Sequence, residues 1–381
     1  LARVSAIRVE RLARDDAEDG ELAAFFEACP TSFAQQTPAW RDALLELGVD
    51  EPLFLGARRE GRLVGVLPAW RFEGPLGAIL TSAAQAGALG GVACLPREDP
   101  GPVYAALLGA FRELAAERGC ALASVLTNPF WPDAELCERH LEPAFVLENA
   151  CEVLDLEAAL DPAGEPRAAG ENLRRNLRRA LAGRLLVDEA QTRENVAAWT
   201  ALHAARQREI GVPPLPEKLC YAALEHAVPR GKARFVFVRL ADEGTLVAGG
   251  LYLLHGQVMD ALMPAVASAH ARLAPGYLLA LHTLRLARAR GLRLYNWQAS
   301  PPGGGVRRFK LQWGSREARY RYLTRVTGDA RAFLAGPVAA VRAGYPWHYA
   351  LPYDRIGVAG AEPAGPSSRA SAWAAGEARR G

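Results

Sequence analysis

Lysine is nearly missing from this chain. Of 45 basic residues in 381, only Lys218, Lys232 and Lys310 are lysine; arginine supplies the rest. Close cysteine pairs are missing as well. The six cysteines, Cys29, Cys94, Cys120, Cys137, Cys151 and Cys220, are scattered, which excludes the spacing of a zinc or dithiol motif. Three lie in apolar runs, as buried thiols of a reducing compartment do. A net charge of +3 is too small for wholesale nucleic-acid binding. No secretory signal is visible near the start, which carries Arg3, Arg8, Glu10 and Arg11. The uncharged run at residues 76–95 holds Gly77, Gln85, Gly87, Gly90 and Gly91 and is mostly alanine, whereas a membrane span needs large apolar side chains. It reads as a buried strand followed by a glycine-rich loop. No integral membrane segment is expected, and the cytoplasm is the expected location. No Ser-His-Asp, Cys-His or metal-ligand constellation occurs, so neither a covalent enzyme intermediate nor a metal is expected.

Against that background Lys310 stands out. It lies in Gly303-Gly304-Gly305-Val306-Arg307-Arg308-Phe309-Lys310-Leu311-Gln312-Trp313-Gly314. Where positive charge alone is needed this sequence uses arginine, a planar fork; lysine is a compact point charge. Such a charge suits a developing oxyanion or a phosphate oxygen. The alternative is a surface lysine beside a turn. A second basic cluster is helical in spacing: Arg174, Arg175, Arg178 and Arg179 fall on adjacent faces, with Leu173, Leu177 and Leu181 on the opposite stripe. It reads either as a phosphate-binding surface or as the solvated face of an amphipathic helix.

Apolar content of 50% and charged content of 23% are those of a globular chain, and the length allows two domains. Strand-like runs at 53–58 and 63–71 flank Glu60-Gly61, a hairpin signal. A strand near 76–81, a helix at 102–118 and a strand at 121–126 follow. The same order recurs later: runs at 234–240 and 246–254 around Glu243-Gly244, a strand at 258–264, a helix at 275–290 and a strand at 292–297. This is an internal repeat at domain scale, and each crossover helix favours a parallel neighbour for the last strand. The fold class is α/β with mixed sheets. Domains are expected at 1–157, 158–330 and 331–381, the last a helix and a tail rich in Ala, Gly, Pro and Ser that reads as disordered from 359.

The repeated unit resembles the GNAT acyltransferase fold, present twice. In that family a pattern Arg/Gln-x-x-Gly-x-Gly/Ala opens the helix that receives a pyrophosphate. The candidate here is His270-Ala271-Arg272-Leu273-Ala274-Pro275-Gly276-Tyr277, with Arg272 and Gly276 one residue further apart and Leu278 at the second small position. The double unit, the basic helix and Phe309-Lys310-x-x-Trp313-Gly314 together resemble the FemABX-like branch, over roughly residues 31–325 in element order; Gln36, Trp40 and Leu67-Pro68 also fit. The resemblance implies two tandem GNAT-like domains facing across a cleft, the first on the acceptor side. The second would carry an N-acyltransferase site that uses acyl-CoA as co-substrate, or aminoacyl-tRNA as the FemABX alternative. The acceptor it implies is an amine, either a small molecule or a cell-envelope precursor. On this reading Lys310 contacts the donor's acyl or phosphate region with Phe309 and Trp313 beside it. Arg272, Gly276, Tyr277 and the four helix arginines bind the donor, or a tRNA acceptor end. A further alternative is a non-catalytic binding protein on the same fold.

An amine nucleophile must lose a proton. Asp260, an acid in an apolar strand, is the candidate base. Tyr295 in the last strand is a candidate donor to the leaving group, with a core tyrosine as its alternative. His255 is expected exposed at a hairpin tip and His282 is expected as a core histidine. The sequence is silent on oligomeric state.

Overall fold

Glu60 and Gly61 both adopt positive φ, 51° and 79°, the two-residue turn whose twist matches that of the flanking strands. The strands Leu55–Arg59 and Arg62–Leu67 pair across it, as the sequence predicts. The computed structural model describes residues 6–357, apart from Val49, Ala84, Gln85, Gly87, Ala88, Ala168 and Pro302. The expected disordered tail lies outside the described residues. Two units are present: one holds the chain up to Ala150 and again from Ala318, the other holds Cys151–Glu317. The sequence places boundaries at 157 and 330.

In the first unit the expected long second strand is broken at Pro68, which has no amide for a ladder. Arg62–Leu67 stays with a small sheet, while Trp70–Gly74 pairs instead with Gly77–Thr81. The helix Pro100–Glu117 is capped by Asp99, whose side chain accepts from Gly101 N. It buries Val103, Leu107, Leu108 and Phe111. The chain returns as Leu122–Leu126, parallel to Gly77–Thr81. Helices Arg331–Ala335 and Val338–Gly344 also belong to this unit; Tyr345 Oη donates to Gly77 O at 2.7 Å.

The second unit repeats the order with longer strands. Ala233–Leu240, Leu246–His255 and Val258–Val266 form an antiparallel meander. The helix Pro275–Ala289 packs Leu278, Leu281 and Leu284 into its core, each fully buried leucine contributing roughly 1.5–3 kcal/mol. Leu294–Asn296 then lies parallel to Val258–Asp260. The helix Glu171–Ala180 buries Leu173, Leu177 and Ala180 in the same core.

Two strands that periodicity did not reveal complete these sheets, and each ends away from its own repeat. Phe145–Asp155 follows the first repeat, yet its end, Val153–Asp155, pairs with Leu294–Asn296 in the second unit. Arg316–Val326 follows the second repeat, yet Tyr322–Val326 pairs with Leu122–Leu126 in the first. No helix among the described residues is long and apolar enough to cross a membrane.

Candidate active site

The parallel pairing in the second unit covers only three positions, ending at Asp260 opposite Asn296. There the strands part. Trp297 turns its amide to Glu152 O at 2.9 Å, so its strand leaves toward Phe145–Asp155. Val258–Val266 runs on with Met263 at φ 58°, beside a register shift against Gly249–Leu251. A bulge of this kind re-aims backbone groups next to a site. The corresponding strands of the first unit stay closed: Ser82 N bonds Ser124 O and Leu126 N bonds Ser82 Oγ, both at 2.9 Å. A Cβ on Gly91, whose φ is 95°, would stand 2.3 Å from Leu126 O, so the loop itself fills that space.

Four side chains gather at the apex of the second unit's fork. Asp260, 2% exposed, accepts from Asn296 Nδ2 at 2.8 Å and from Gln298 Nε2. Gln298 sits at φ 63°, a left-handed conformation that costs a non-glycine residue energy and is held only where its surroundings enforce it. Its amide donates to Asn296 Oδ1 at 3.1 Å. Its carbonyl accepts from Lys310 Nζ at 2.7 Å.

Lys310 lies in the helix Gly305–Leu311, not in a turn, and is buried. Its ammonium donates to Gln298 O, to Ala299 O at 3.2 Å and to Glu152 Oε2 at 3.1 Å. An ammonium has three protons, and all three have protein acceptors. The expectation of a lysine reaching the donor therefore does not match this geometry; Lys310 braces the 298–299 backbone and Glu152. Burial holds its pKa below the usual lysine value, with Glu152 pulling the other way. Glu152 also accepts from Ser300 Oγ at 2.6 Å and Arg307 Nε at 3.3 Å. Desolvation in this pocket, reinforced by Asp260 and Glu152, pushes the Cys151 thiol far up, so it stays protonated and is no nucleophile.

Tyr295 does not join this group. Its ring lies in the core and its hydroxyl is 3.0 Å from Thr283 Oγ1, while burial pushes its pKa well up. The core alternative describes it. Phe309 and Trp313 pack with Trp297 and Tyr277, and Phe309 meets Tyr277 at 4.9 Å between ring centres. Tyr277 and Gly276 open the helix Pro275–Ala289, whose N-cap is Ala274 at φ 58° with no side-chain cap; Pro275 has no N–H and Tyr277 N donates to Ala274 O at 3.0 Å, so the Gly276 amide is the one in the first turn that keeps the capacity to bind an anion. Arg272 is exposed just before it. Arg174, Arg175, Arg178 and Arg179 are all exposed. The flank of their helix that reaches Gln312 is Asn172, at 2.6 Å. His255 is buried and bonded to Lys232, not exposed, and His282 is half-buried against Glu189.

Residues 167–311 match the acetyltransferase (GNAT) domain family. The chain is similar to a GNAT acetyltransferase domain over this segment. Its tandem fold is FemX-like: a crystal structure of FemX aligns at TM-score 0.67 and 13% identity, over 82% of this chain and 97% of that one. The C-terminal domain of a protein named as a lysylphosphatidylglycerol synthetase, from Agrobacterium fabrum, aligns at 0.56 and 15%, over 88% and 99%. A tandem GNAT protein from the clavulanic acid biosynthesis pathway aligns at 0.52 and 17%, over 84% and 99%. No curated protein matches the chain.

Glu152, Asn296 and Gln298 are the residues that sequence reasoning missed at this site. The signal that marked Asp260, an acid inside an apolar strand, was present for Glu152 too, in Ala150-Cys151-Glu152-Val153-Leu154. The polar run Asn296-Trp297-Gln298 closing the last strand was the signal for the other two.

Proposed function

We propose that the chain transfers an acyl group from an acyl-CoA thioester to an amine, at the fork of the second unit. The observation that carries this reading is the buried carboxylate of Asp260 at the point where two parallel strands stop pairing, with a helix N-terminus at Pro275-Gly276 following the longer strand. The donor's pyrophosphate is assigned to the N-terminus of Pro275–Ala289, at the Gly276 amide, where the helix dipole favours negative charge. Gly276 suits a close approach there; a Cβ would already meet Val266 Cγ2 at 3.2 Å. Its pantetheine arm is assigned to the unpaired edge beyond Asp260 and the Met263 bulge. Among the described residues of the first unit, Gly91 stands against Leu126 O at the equivalent fork.

The acceptor amine attacks the thioester carbonyl carbon. A C–N bond forms, the C–S bond breaks, and the thiolate leaves with the donor. Asp260 takes the amine's proton and returns it to the thiolate or to solvent. Asn296 and Gln298 orient Asp260 by their amide protons, and Lys310 fixes Gln298 in its left-handed conformation. Positioning supplies most of the rate. Free thiols at all six cysteines support a reducing compartment, and the cytoplasm is the proposed location.

The test is a donor screen by intact mass with acetyl-CoA, longer acyl-CoAs and charged tRNA, against a mixture of amine acceptors. Transfer from a CoA thioester that is lost in Asp260→Asn supports the proposal. Transfer from charged tRNA alone moves the donor to the FemABX alternative, and no transfer from any donor leaves a binding protein.

A further inference from the structure

Arg174, Arg178, Arg179 and Arg184 are exposed, and none has a side-chain partner among the described residues. No acidic residue lies between Glu171 and Asp188. Inside this stretch stand two of the few large apolar side chains the described surface exposes, Leu181 at 53% and Leu186 at 56%. Leu186 belongs to Leu185–Asp188, the edge strand of its sheet, where a bare apolar side chain is a liability unless something covers it. The helix beneath is anchored by Leu173, Leu177 and Ala180, so the patch is presented on a firm base.

Its orientation separates it from the candidate active site. Asn172, bonded to Gln312, marks the flank toward Tyr277. At about 100° per residue, Arg174 and Arg178 fall on the far flank, Arg179 lies about two turns along, and Arg184 stands past the helix end at Ala180. We propose that residues 174–186 form a docking surface for an anionic lipid bilayer: the arginines meet lipid phosphates while Leu181 and Leu186 enter the interface. Nucleic acid is the other polyanion that would meet such charge. Single-strand binders add aromatic rings on which bases stack, and residues 171–186 contain none; leucines that enter an apolar layer are the feature a bilayer uses. The inference does not depend on which donor the site accepts.

The test sediments the full chain with vesicles of phosphatidylcholine alone and of phosphatidylcholine with phosphatidylglycerol. The expected result is binding only to the anionic vesicles, weakening as salt rises. Arg174→Gln, Arg178→Gln, Arg179→Gln and Arg184→Gln combined should weaken it on the order of a hundredfold. Leu181→Ser with Leu186→Ser should weaken it about tenfold or more with the charge unchanged. All six positions are exposed, and a melting curve checks each variant; should the combined variant melt early, Arg178→Glu alone should still lower vesicle binding. No binding to anionic vesicles overturns the proposal. So does binding indifferent to the two leucines, which is adsorption of charge alone. So does retention of total tRNA through the same arginines without vesicle binding, which makes the patch a nucleic-acid surface.

Discussion

The Lys310 ammonium lies 3.1 Å from the Glu152 carboxylate, across 158 residues of sequence, and both side chains are about 95% buried, at 6% and 5% exposure. Removing one partner of such a pair leaves the other charge buried without its counterion, which typically costs about 3–5 kcal/mol. Lys310→Ala should therefore lower the melting temperature and turnover together. Glu152→Gln should do the same more mildly, since Lys310 keeps two carbonyl acceptors. The double variant should be more stable than the sum of the single losses implies. A thermal double-mutant cycle measures this, and strict additivity would show that the two charges do not depend on each other. Lys310→Arg should also fail, because a planar fork does not fit a pocket of two carbonyls and one carboxylate oxygen.

Gln298 separates backbone strain from side-chain work. Its φ of 63° is easy for glycine and costs alanine about 1 kcal/mol or more. Gln298→Gly should thus be more stable than Gln298→Ala by about that amount, while both lose the amide that orients Asp260. Equal turnover losses with unequal melting temperatures are expected. If Gln298→Gly keeps full turnover, the side chain has no part in positioning Asp260.

Asp260→Asn should lower turnover by about a hundredfold or more while leaving donor affinity intact. The acidic limb of the pH–rate profile should vanish with it. A variant that melts early yet turns over normally per folded molecule would reduce Asp260 to a structural partner of Asn296.

A pH dependence of stability is expected from the first unit. Burial pushes Asp133 up to about 7, against hydrogen bonds from Asn128 N and Tyr104 Oη that favour the charged form. The folded state then holds a proton that the unfolded chain has released above about pH 4. Stability from this group is full below pH 4, falls between pH 4 and about 7 by up to about 1.4 kcal/mol per unit, and is flat above. Denaturant melts of wild type and Asp133→Asn across that range check it: the stability of the wild type relative to the variant should fall with that slope, and parallel profiles would show that Asp133 holds no such proton.

His203 gives the opposite sign. Burial lowers it to about 4, and its Nε2 accepts from Leu215 N at 3.2 Å, a bond that only the neutral ring can accept. The unfolded chain takes up a proton near pH 6.5 and the folded one does not until about 4. Stability present above pH 6.5 should be lost progressively down to about pH 4. Asp133 and His203 offset each other over this range in the wild type, so His203→Gln should unmask the fall of stability with rising pH.

Much of the scaffold was legible because glycine and proline mark it. Glu60-Gly61 and Gly244 announce their turns, Pro275 its helix, and the repeated order of hairpin, strand, helix and strand carries the topology. Asp260 was legible because an acid among Met259, Ala261 and Leu262 needs a reason. The environment of Lys310 was not. Its scarcity drew attention to the right segment, but scarcity says nothing about which way a side chain faces, and the acceptors that surround it come from Gln298, Ala299 and the distant Glu152. Alternation can suggest a strand at Phe145–Asp155; it does not say which neighbour that strand takes.

That choice of neighbour bears on how the protein is made. Ser124 and Thr324 hydroxyls meet at 2.8 Å across a sequence separation of 200, inside a sheet whose strand Leu122–Leu126 is paired on that side by Tyr322–Val326. A ribosome adding about 5–20 residues per second therefore leaves an open, mostly apolar strand edge on the nascent chain for roughly 10–40 s. Through that interval the first-made half is a folding intermediate that has to be kept from other nascent chains, and a chain that ends after Leu126 but before Tyr322 is a fragment with its aggregation-prone edge permanently exposed.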